Sequence, residues 1–296
     1  MRIVVIGGSG FIGSHLCKYL GLAGHQVTVV RRPYTVERLL APCTTNATQN
    51  LNTSSDKDQR YAIVNLAGAS LNRGRWSAHD RKEILTSRVA TTKAVVTAIF
   101  QAPQPPHAYV QASAIGYYGT SFDATFTEDD APGDDFLATV CTLWEQAAQP
   151  VYQRTRVVCI RLGMVLGKDG GALPSLLPLF RIGLGGTVGN GRQWVSWIHV
   201  ADASALIEWS LRDDRVTGPL NATAPHPVQM HDFTRAIARQ LHRPHLLSVP
   251  AAILRLALGQ RAQLVLTGQR VLPAKAEALH FQFAFPHLDA ALADIL

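Results

Sequence analysis

The segment Arg2-Ile-Val-Val-Ile6 is a run of β-branched residues without polar alternation, the pattern of a strand covered on both faces in a parallel sheet. Apolar residues then recur at helical spacing from Phe11 to Leu22, Gly24 suits the end of that helix, and His25 to Val30 is a second strand. Strand, helix and strand in so short a span form a βαβ unit. The pattern resumes at Tyr61-Ala-Ile-Val-Asn65, a strand ending in the small-residue turn Leu66-Ala67-Gly68, and residues 76–101 read as a long amphipathic helix or helix pair. After the break at Pro103–Pro106, a strand is predicted within His107–Gly119, a helix over Phe136–Gln149, a strand over Val157–Gly163, a helix over Ala203–Leu211 and a short strand over Pro219–Thr223. Residues 42–60, rich in Thr, Asn, Ser and Asp, read as a surface excursion. Gly170 to Gln193, where alternation weakens and glycines recur, reads as a lid or pocket wall. The fold class is therefore α/β, a doubly wound parallel sheet with a smaller, α-rich C-terminal lobe. Residues 1–165, completed by about 194–224, would form the nucleotide-binding part, and 166–193 with 225–296 the substrate lobe.

The turn after the first strand carries the first chemical signal. Gly7, Gly10 and Gly13 are spaced as GxxGxxG between a strand and a helix. Glycines there permit a tight turn, let the backbone approach a pyrophosphate and bring the helix close to the strand. The helix beginning at Phe11 and Ile12 would present unpaired N–H groups and a positive dipole end to that phosphate. An acidic residue after the second strand would bind the ribose hydroxyls of NAD; this chain has Arg31 and Arg32 instead, which suit a 2′-phosphate and hence NADP(H). Leu66, Ala67 and Gly68 are candidates for contact with the adenine or bridging ribose, and Arg88 on the following helix for a further cofactor contact. Ligands of open parallel sheets sit beyond the carboxyl ends of the strands, which directs attention to Ser113, Tyr117 and Tyr118. The acidic stretch Thr127–Asp135 is expected to cap a helix.

Composition narrows the alternatives. The 296 residues, 47% of them hydrophobic, can bury a sizeable core. The formal charge of +7 is spread along the chain: residues 1–165 hold 16 Lys and Arg against 12 Asp and Glu, and residues 166–296 hold 12 against 9. With no basic block and no interleaved aromatic stripe, a nucleic-acid partner is not expected. Cys17, Cys43, Cys141 and Cys159 form no CxxC pair, so neither a disulfide framework nor a metal site is expected. No apolar run reaches about 18 residues and no basic n-region precedes the first strand, so the expectation is a cytoplasmic protein without a membrane anchor.

Gly7-x-x-Gly10-x-x-Gly13, Asn65-Leu-Ala-Gly68, the Ser113 strand, Arg161-Leu-Gly-Met-Val-Leu-Gly167 and Trp197-Ile-His-Val-Ala-Asp202 occur in an order that resembles the extended short-chain dehydrogenase/reductases, relatives of nucleotide-sugar epimerases and dehydratases. Ala112-Ser-Ala-Ile-Gly-Tyr-Tyr-Gly119, Asp135 to Glu145, Gly183-Leu-Gly-Gly186 and Gly268-Gln-Arg-Val-Leu-Pro273 resemble, more narrowly, its epimerase-like branch. The resemblance covers nearly the whole chain and implies a Rossmann-type domain binding NADP(H), with Ser9 and Arg161 joining the residues above at the cofactor and an unknown small molecule, nucleotide-sugar-like in class, as substrate. In that superfamily a serine orients the substrate oxygen while the tyrosine of a YxxxK pair moves the proton and its lysine holds the nicotinamide ribose. Ser113 matches the serine. Aligned on Glu145, the tyrosine position holds Leu137, which cannot transfer a proton, and the lysine position Cys141, whose thiol is a poor replacement for an ammonium. Two readings follow: a redox enzyme, epimerase or oxidoreductase, using Tyr117, Tyr118 or His199 for proton transfer, or a non-catalytic NADP(H)-binding regulatory or assembly protein. Either is expected as a monomer or homodimer.

Overall fold

The computed structural model describes residues 1–44, 60–71, 74–245 and 247–296. Six strands build its central sheet: β1 (Arg2–Ile6), β2 (Gln26–Val30), β3 (Tyr61–Asn65), β4 (Ala108–Ala114), β5 (Arg156–Leu162) and β6 (Gly218–Ala222). They lie in the order β6-β5-β4-β3-β1-β2, every neighbouring pair parallel. The unbroken apolar run of β1 has a direct cause. Ile3 and Val5 face one core, with Leu16 and Leu20 of α1 (Phe11–Leu22) and Leu206 and Ile207 of a helix at Val200–Arg212. Val4 and Ile6 face the other, with Leu39 of α2 (Val36–Thr44) and Val95 and Ile99 of α3 (Ala78–Gln101). Both faces of a strand covered by helices leave no position for a polar alternation.

The expected long helix is one element. Ser77 Oγ accepts from Asp80 N at 3.2 Å and the Asp80 carboxylate accepts from Ser77 N at 2.8 Å, a capping box that starts α3 at Ala78. The acidic stretch before α4 (Phe136–Gln146) ends in Asp135, whose carboxylate accepts from Ala138 N at 2.8 Å. Two expectations change. The strand within 107–119 stops at Ala114, and Ile115–Tyr118 is a tight 3-10 turn. Residues 170–193, read as a wall of weak pattern, contain α5 (Leu173–Arg181) and a strand at Gly186–Val188. Pro174 lies in the first turn of α5, where a missing N–H costs nothing, and Leu173, Leu177 and Phe180 form a buried stripe. Of the excursion read over 42–60, residues 42–44 close α2 and 45–59 lie outside the described residues.

That stripe belongs to a separate core cluster shared with Met230, Phe233 and Ile237 of the helix at Met230–Gln240 and with Leu288, Leu292 and Ile295. The strand at Leu247–Val249 pairs in parallel with Gly186–Val188, tying the inserted segment to the C-terminal one. No described helix is long and apolar enough to cross a membrane.

Candidate functional site

At the carboxyl edge of β1 the surface is formed by the backbone itself. Gly7 has φ +84°, and a Cβ there would lie 2.8 Å from the Leu66 carbonyl carbon and 2.9 Å from Ala67 N. A Cβ on Gly13 would lie 2.3 Å from the Gly7 oxygen, so only glycine lets α1 approach the loop this closely. Gly10 caps α1 with no side chain, and Ser14 N, 2.8 Å from Gly10 O, is the first helical N–H bonded back to the loop. The N–H groups of Phe11, Ile12 and Gly13 consequently point out of the helix beside exposed Ser9 and Gly10. This concave run of amides suits a pyrophosphate.

Arg31 and Arg32 emerge, exposed, at the end of β2. Arg38, which sequence reasoning missed, turns back from α2 to donate to Arg32 O at 3.3 Å. Among the described residues no carboxylate pairs with any of the three, so they form an uncompensated positive cluster. Arg38 had no signal of its own, because only the turn between β2 and α2 brings it back.

The loop after β3 is held from behind. Asn65 Oδ1 accepts from Ala67 N at 3.2 Å, and its amide nitrogen donates to Gln111 Oε1 at 3.0 Å and Thr92 Oγ1 at 3.3 Å, all buried. Tyr109 also donates to Gln111 Oε1, and Trp144 Nε1 donates to Thr92 Oγ1 at 3.1 Å. Ser87 Oγ accepts from Ala69 N at 3.1 Å. Leu66, Ala67 and Gly68 are thereby fixed against α3 and α4. Arg88 lies directly on Gly68, where a Cβ would be 3.2 Å from its Cζ.

A second buried network lies at the carboxyl ends of β4, β5 and β6. Ser113, Arg161 and Asn221 are register partners across the three strands. Ser113 Oγ donates to Glu145 Oε1 at 2.6 Å, and Arg161 binds the same carboxylate with both prongs, Nε to Oε1 at 2.9 Å and Nη2 to Oε2 at 3.0 Å. Arg161 Nη1 donates to the Tyr118 hydroxyl at 2.9 Å, which donates on to Asn221 Oδ1 at 2.7 Å. The Tyr117 ring lies under the guanidinium, 3.5 Å from Cζ to its centroid. Glu128 accepts from Asn221 N at 3.0 Å and Lys275 N at 3.2 Å, and burial raises its pKa above the usual carboxylate value. Burial disfavours a charged Arg161, but the hydrogen bonds and charge of Glu145 outweigh it and raise the guanidinium pKa further.

The structure thus gathers Ser113, Tyr117, Tyr118 and Arg161 and gives them different tasks. Tyr118 is 3% exposed, its pKa pushed up to about 12 by burial, and its hydroxyl is spent on Arg161 and Asn221. Tyr117 is half-buried, and among the described residues no hydrogen bond holds its hydroxyl. His199 does not join them. It is the N-cap of the Val200–Arg212 helix, Nδ1 accepting from Ala201 N at 3.1 Å while Nε2 lies 3.2 Å from Asp294 and the ring packs on Phe285. Burial lowers its pKa. Leu137 packs against the buried cluster of Trp76, Ile84 and Val140, and Cys141, whose thiol burial pushes up to about 12, lies beside Ser113. Of the two positions where the pair would stand, Cys141 adjoins the serine and Leu137 packs against an apolar cluster, and neither side chain can do the pair's chemistry. Glu145, Glu128, Asn221, Gln111 and Thr92 were not foreseen as members of the site.

Residues 3–222 match the NAD dependent epimerase/dehydratase family, and residues 249–295 match a domain of unknown function, DUF1731. The chain is 40% identical over 302 residues to the epimerase family protein YfhF of Bacillus subtilis, covering 100% of this chain and 98% of that one. It is 38% identical over 300 residues to the human epimerase family protein SDR39U1, covering 100% of both. The crystal structure of human SDR39U1 with NADPH superposes with a TM-score of 0.89 at 37% identity, covering 100% of this chain and 99% of that one. At 17% identity and a TM-score of 0.76, UDP-N-acetylglucosamine 4-epimerase from Bacillus cereus, of which 97% is covered, shares the fold. A family model over most of the chain and relatives 38–40% identical over its whole length agree: this chain belongs to the NAD dependent epimerase/dehydratase family.

Proposed function

We propose that this protein is an NADP(H)-dependent oxidoreductase of the extended short-chain type, acting in the cytoplasm on a small molecule whose oxygen Ser113 orients. The cradle accepts the cofactor on structural grounds: a Cβ on Gly7 or Gly13 would fill it, and the N–H groups of residues 11–13 are free for a pyrophosphate. Arg31, Arg32 and Arg38 would hold the 2′-phosphate, Leu66 to Gly68 a ribose. The solved relative that binds NADPH supports this choice over NADH. When bound, NADPH supplies a hydride. The protein supplies orientation: Ser113 Oγ, which donates to Glu145 Oε1 at 2.6 Å, would turn that proton to the carbonyl oxygen of a substrate, which can only accept, while Arg161 keeps the carboxylate bound. Tyr117, whose hydroxyl is uncommitted, is the group placed to move a proton; Tyr118 and His199 serve as supports. The observation that carries the reading is Ser113 held at 2.6 Å by a buried carboxylate at the carboxyl end of β4. Fluorescence titration with NADPH and NADH tests the cofactor. Tighter binding of NADPH is expected, and equal affinity or a preference for NADH would overturn the assignment.

Leu137 and Cys141 favour a second reading, a non-catalytic NADP(H)-binding protein. NADPH oxidation followed at 340 nm against a panel of carbonyl compounds separates the two. Turnover that falls at least tenfold in Ser113→Ala supports the enzyme, whereas binding without turnover on any carbonyl supports the alternative.

A further inference from the structure

The apolar residues beside Ser113 and Tyr117 come from three parts of the chain and are only partly buried. Leu137 and Cys141 are four residues apart on α4 and share its face. A Cβ on Gly116, the residue before Tyr117, would lie 3.3 Å from Leu137 Cβ and 3.9 Å from Cys141 Sγ. This face of α4 therefore flanks the turn that carries the Tyr117 hydroxyl. Leu71 from the loop after β3, Leu137 itself and Leu264 from the C-terminal lobe all pack against the buried cluster of Trp76, Ile84 and Val140, and all three leucines stay half-buried.

The C-terminal lobe brings more apolar surface here than it buries. Ala251–Leu266 reads Ala-Ala-Ile-Leu-Arg-Leu-Ala-Leu-Gly-Gln-Arg-Ala-Gln-Leu-Val-Leu, yet Ala262 alone of it is buried. Ile253 is 57% and Leu256 78% exposed. The segment is fastened to the nucleotide-binding part. Arg75 Nη2 donates to Leu256 O, Arg81 Nη1 donates to Gln260 Oε1 at 3.5 Å, and a Cβ on Gly259 would lie 3.1 Å from Arg75 O. A single exposed leucine is ordinary, but an apolar stretch held beside two hydroxyls at the end of a sheet is the composition of a ligand site. The hydroxyls and diphosphate of a nucleotide sugar would lose water against such a wall without gaining partners.

We infer that the small molecule this site takes is an apolar carbonyl compound, its oxygen at Ser113 and its hydrocarbon part against Leu71, Leu137 and Leu264. The inference rests on the NADP(H) oxidoreductase reading above and names the chemical class of its substrate. It replaces the nucleotide-sugar-like ligand that the family resemblance implies. In the reaction the carbonyl gains the hydride of NADPH at carbon and a proton at oxygen, giving the alcohol and NADP+.

The test separates binding from turnover by using primary amides, which offer a carbonyl oxygen but are not reduced. The full chain, saturated with NADPH, is titrated calorimetrically with butanamide, hexanamide and octanamide. Affinity is expected to rise roughly threefold with each added methylene as it leaves water. Leu137→Asn and Leu264→Asn, polar and close in volume, should each lower that factor to below about twofold. Leu264 lies on a helix with no buried residue, so Leu264→Asn carries the test if Leu137→Asn does not fold. An affinity that does not change along the series, or tighter binding of UDP-glucose than of octanamide by the same complex, overturns the inference. A flat series together with a dimer that Leu256→Ser converts to a monomer in analytical ultracentrifugation assigns the apolar segment to a second copy of the chain, and also overturns it. A chain that binds no NADPH overturns the cofactor reading on which the inference rests. Amides bound with the expected increments, but no reduction of aldehydes of equal chain length, support the ligand class and overturn the enzyme reading.

Discussion

Removing the Glu145 carboxylate tests whether the Ser113 network is an energetic unit. Arg161 is 4% exposed in its side chain and Glu145 14%, so the pair is desolvated, and the two parallel hydrogen bonds at 2.9 and 3.0 Å offset that cost. In Glu145→Ala the guanidinium cannot escape by losing its proton, since arginine stays charged at any ordinary pH. It would remain buried with the Tyr118 hydroxyl, the Glu128 carbonyl and the Tyr117 ring as its partners, none of them anionic. An uncompensated buried charge of this kind costs about 3–5 kcal/mol, a large fraction of a typical ~5–15 kcal/mol stability. Replacing both partners by apolar residues of similar volume, Glu145→Leu with Arg161→Met, removes the charge with its counter-charge and should lie within ~1 kcal/mol of the parent. Urea unfolding at pH 7, followed by tryptophan fluorescence, measures both; Trp144 adjoins the altered position. A loss below ~1 kcal/mol in Glu145→Ala, or a double variant no more stable than the single one, would refute the claim that Arg161 depends on this carboxylate.

Other perturbations have outcomes of comparable definition. Gly13→Ala sets a methyl 2.3 Å from the Gly7 oxygen and 2.7 Å from Gly8 Cα, both backbone; overpacking should cost ~1–3 kcal/mol in urea unfolding and abolish NADPH binding, and an alanine variant with normal affinity would show that the cradle is not the site. Arg38→Ala should weaken NADPH roughly threefold at low salt and leave NADH unchanged, the difference fading above about 0.5 M salt; equal effects on both cofactors would remove Arg38 from the 2′-phosphate cluster. His199 has its pKa depressed by burial, opposed by Asp294 and Asp202, with His15 adding to the depression. The unfolded chain therefore binds the proton more tightly, and the contribution of His199 to stability is present above about pH 6.5 and lost as pH falls through the lower folded value. His199→Asn keeps a cap for Ala201 N and removes the titration, so its stability should fall less steeply between pH 6.5 and 5; an identical slope would show that His199 does not contribute to it.

How much of this was legible in the sequence depended on how far apart the interacting residues are. Phe11–Leu22 was readable to the residue because a glycine turn before it and Gly24 after it bound an apolar periodicity, all of them local signals. That the acidic stretch Thr127–Asp135 caps α4 was readable for the same reason, though not that Asp135 is the residue that does it. The α5 helix was not, because its prolines and the glycines after it look like breakers until the facing apolar residues of the C-terminal helices are known. Tyr117 and Tyr118 could not be told apart, since a strand was expected where the chain makes a 3-10 turn that brings both rings to Arg161 yet buries only one hydroxyl.

The site itself shows what a local motif does not record. A sequence motif records which side chains one helix presents, whereas a ligand meets whatever groups reach its position from any element. Cys141 on α4 carries no positive charge, whereas Arg88, arriving from α3, stacks over Trp144 and rests against Gly68. The serine's partner follows the same rule: Ser113 and Glu145 are 32 residues apart, and Tyr118 and Asn221 are 103 apart, so no local pattern could announce either bond. Parallel register brings Ser113, Arg161 and Asn221 into one row, and that row converts three separate strand ends into a single buried lattice of charge and hydrogen bonds. A lattice in which Ser113, Arg161, Tyr118 and Asn221 hold one another while, among the described residues, the Tyr117 hydroxyl has no partner is stiff around one free hydroxyl, the condition for fixing a ligand oxygen.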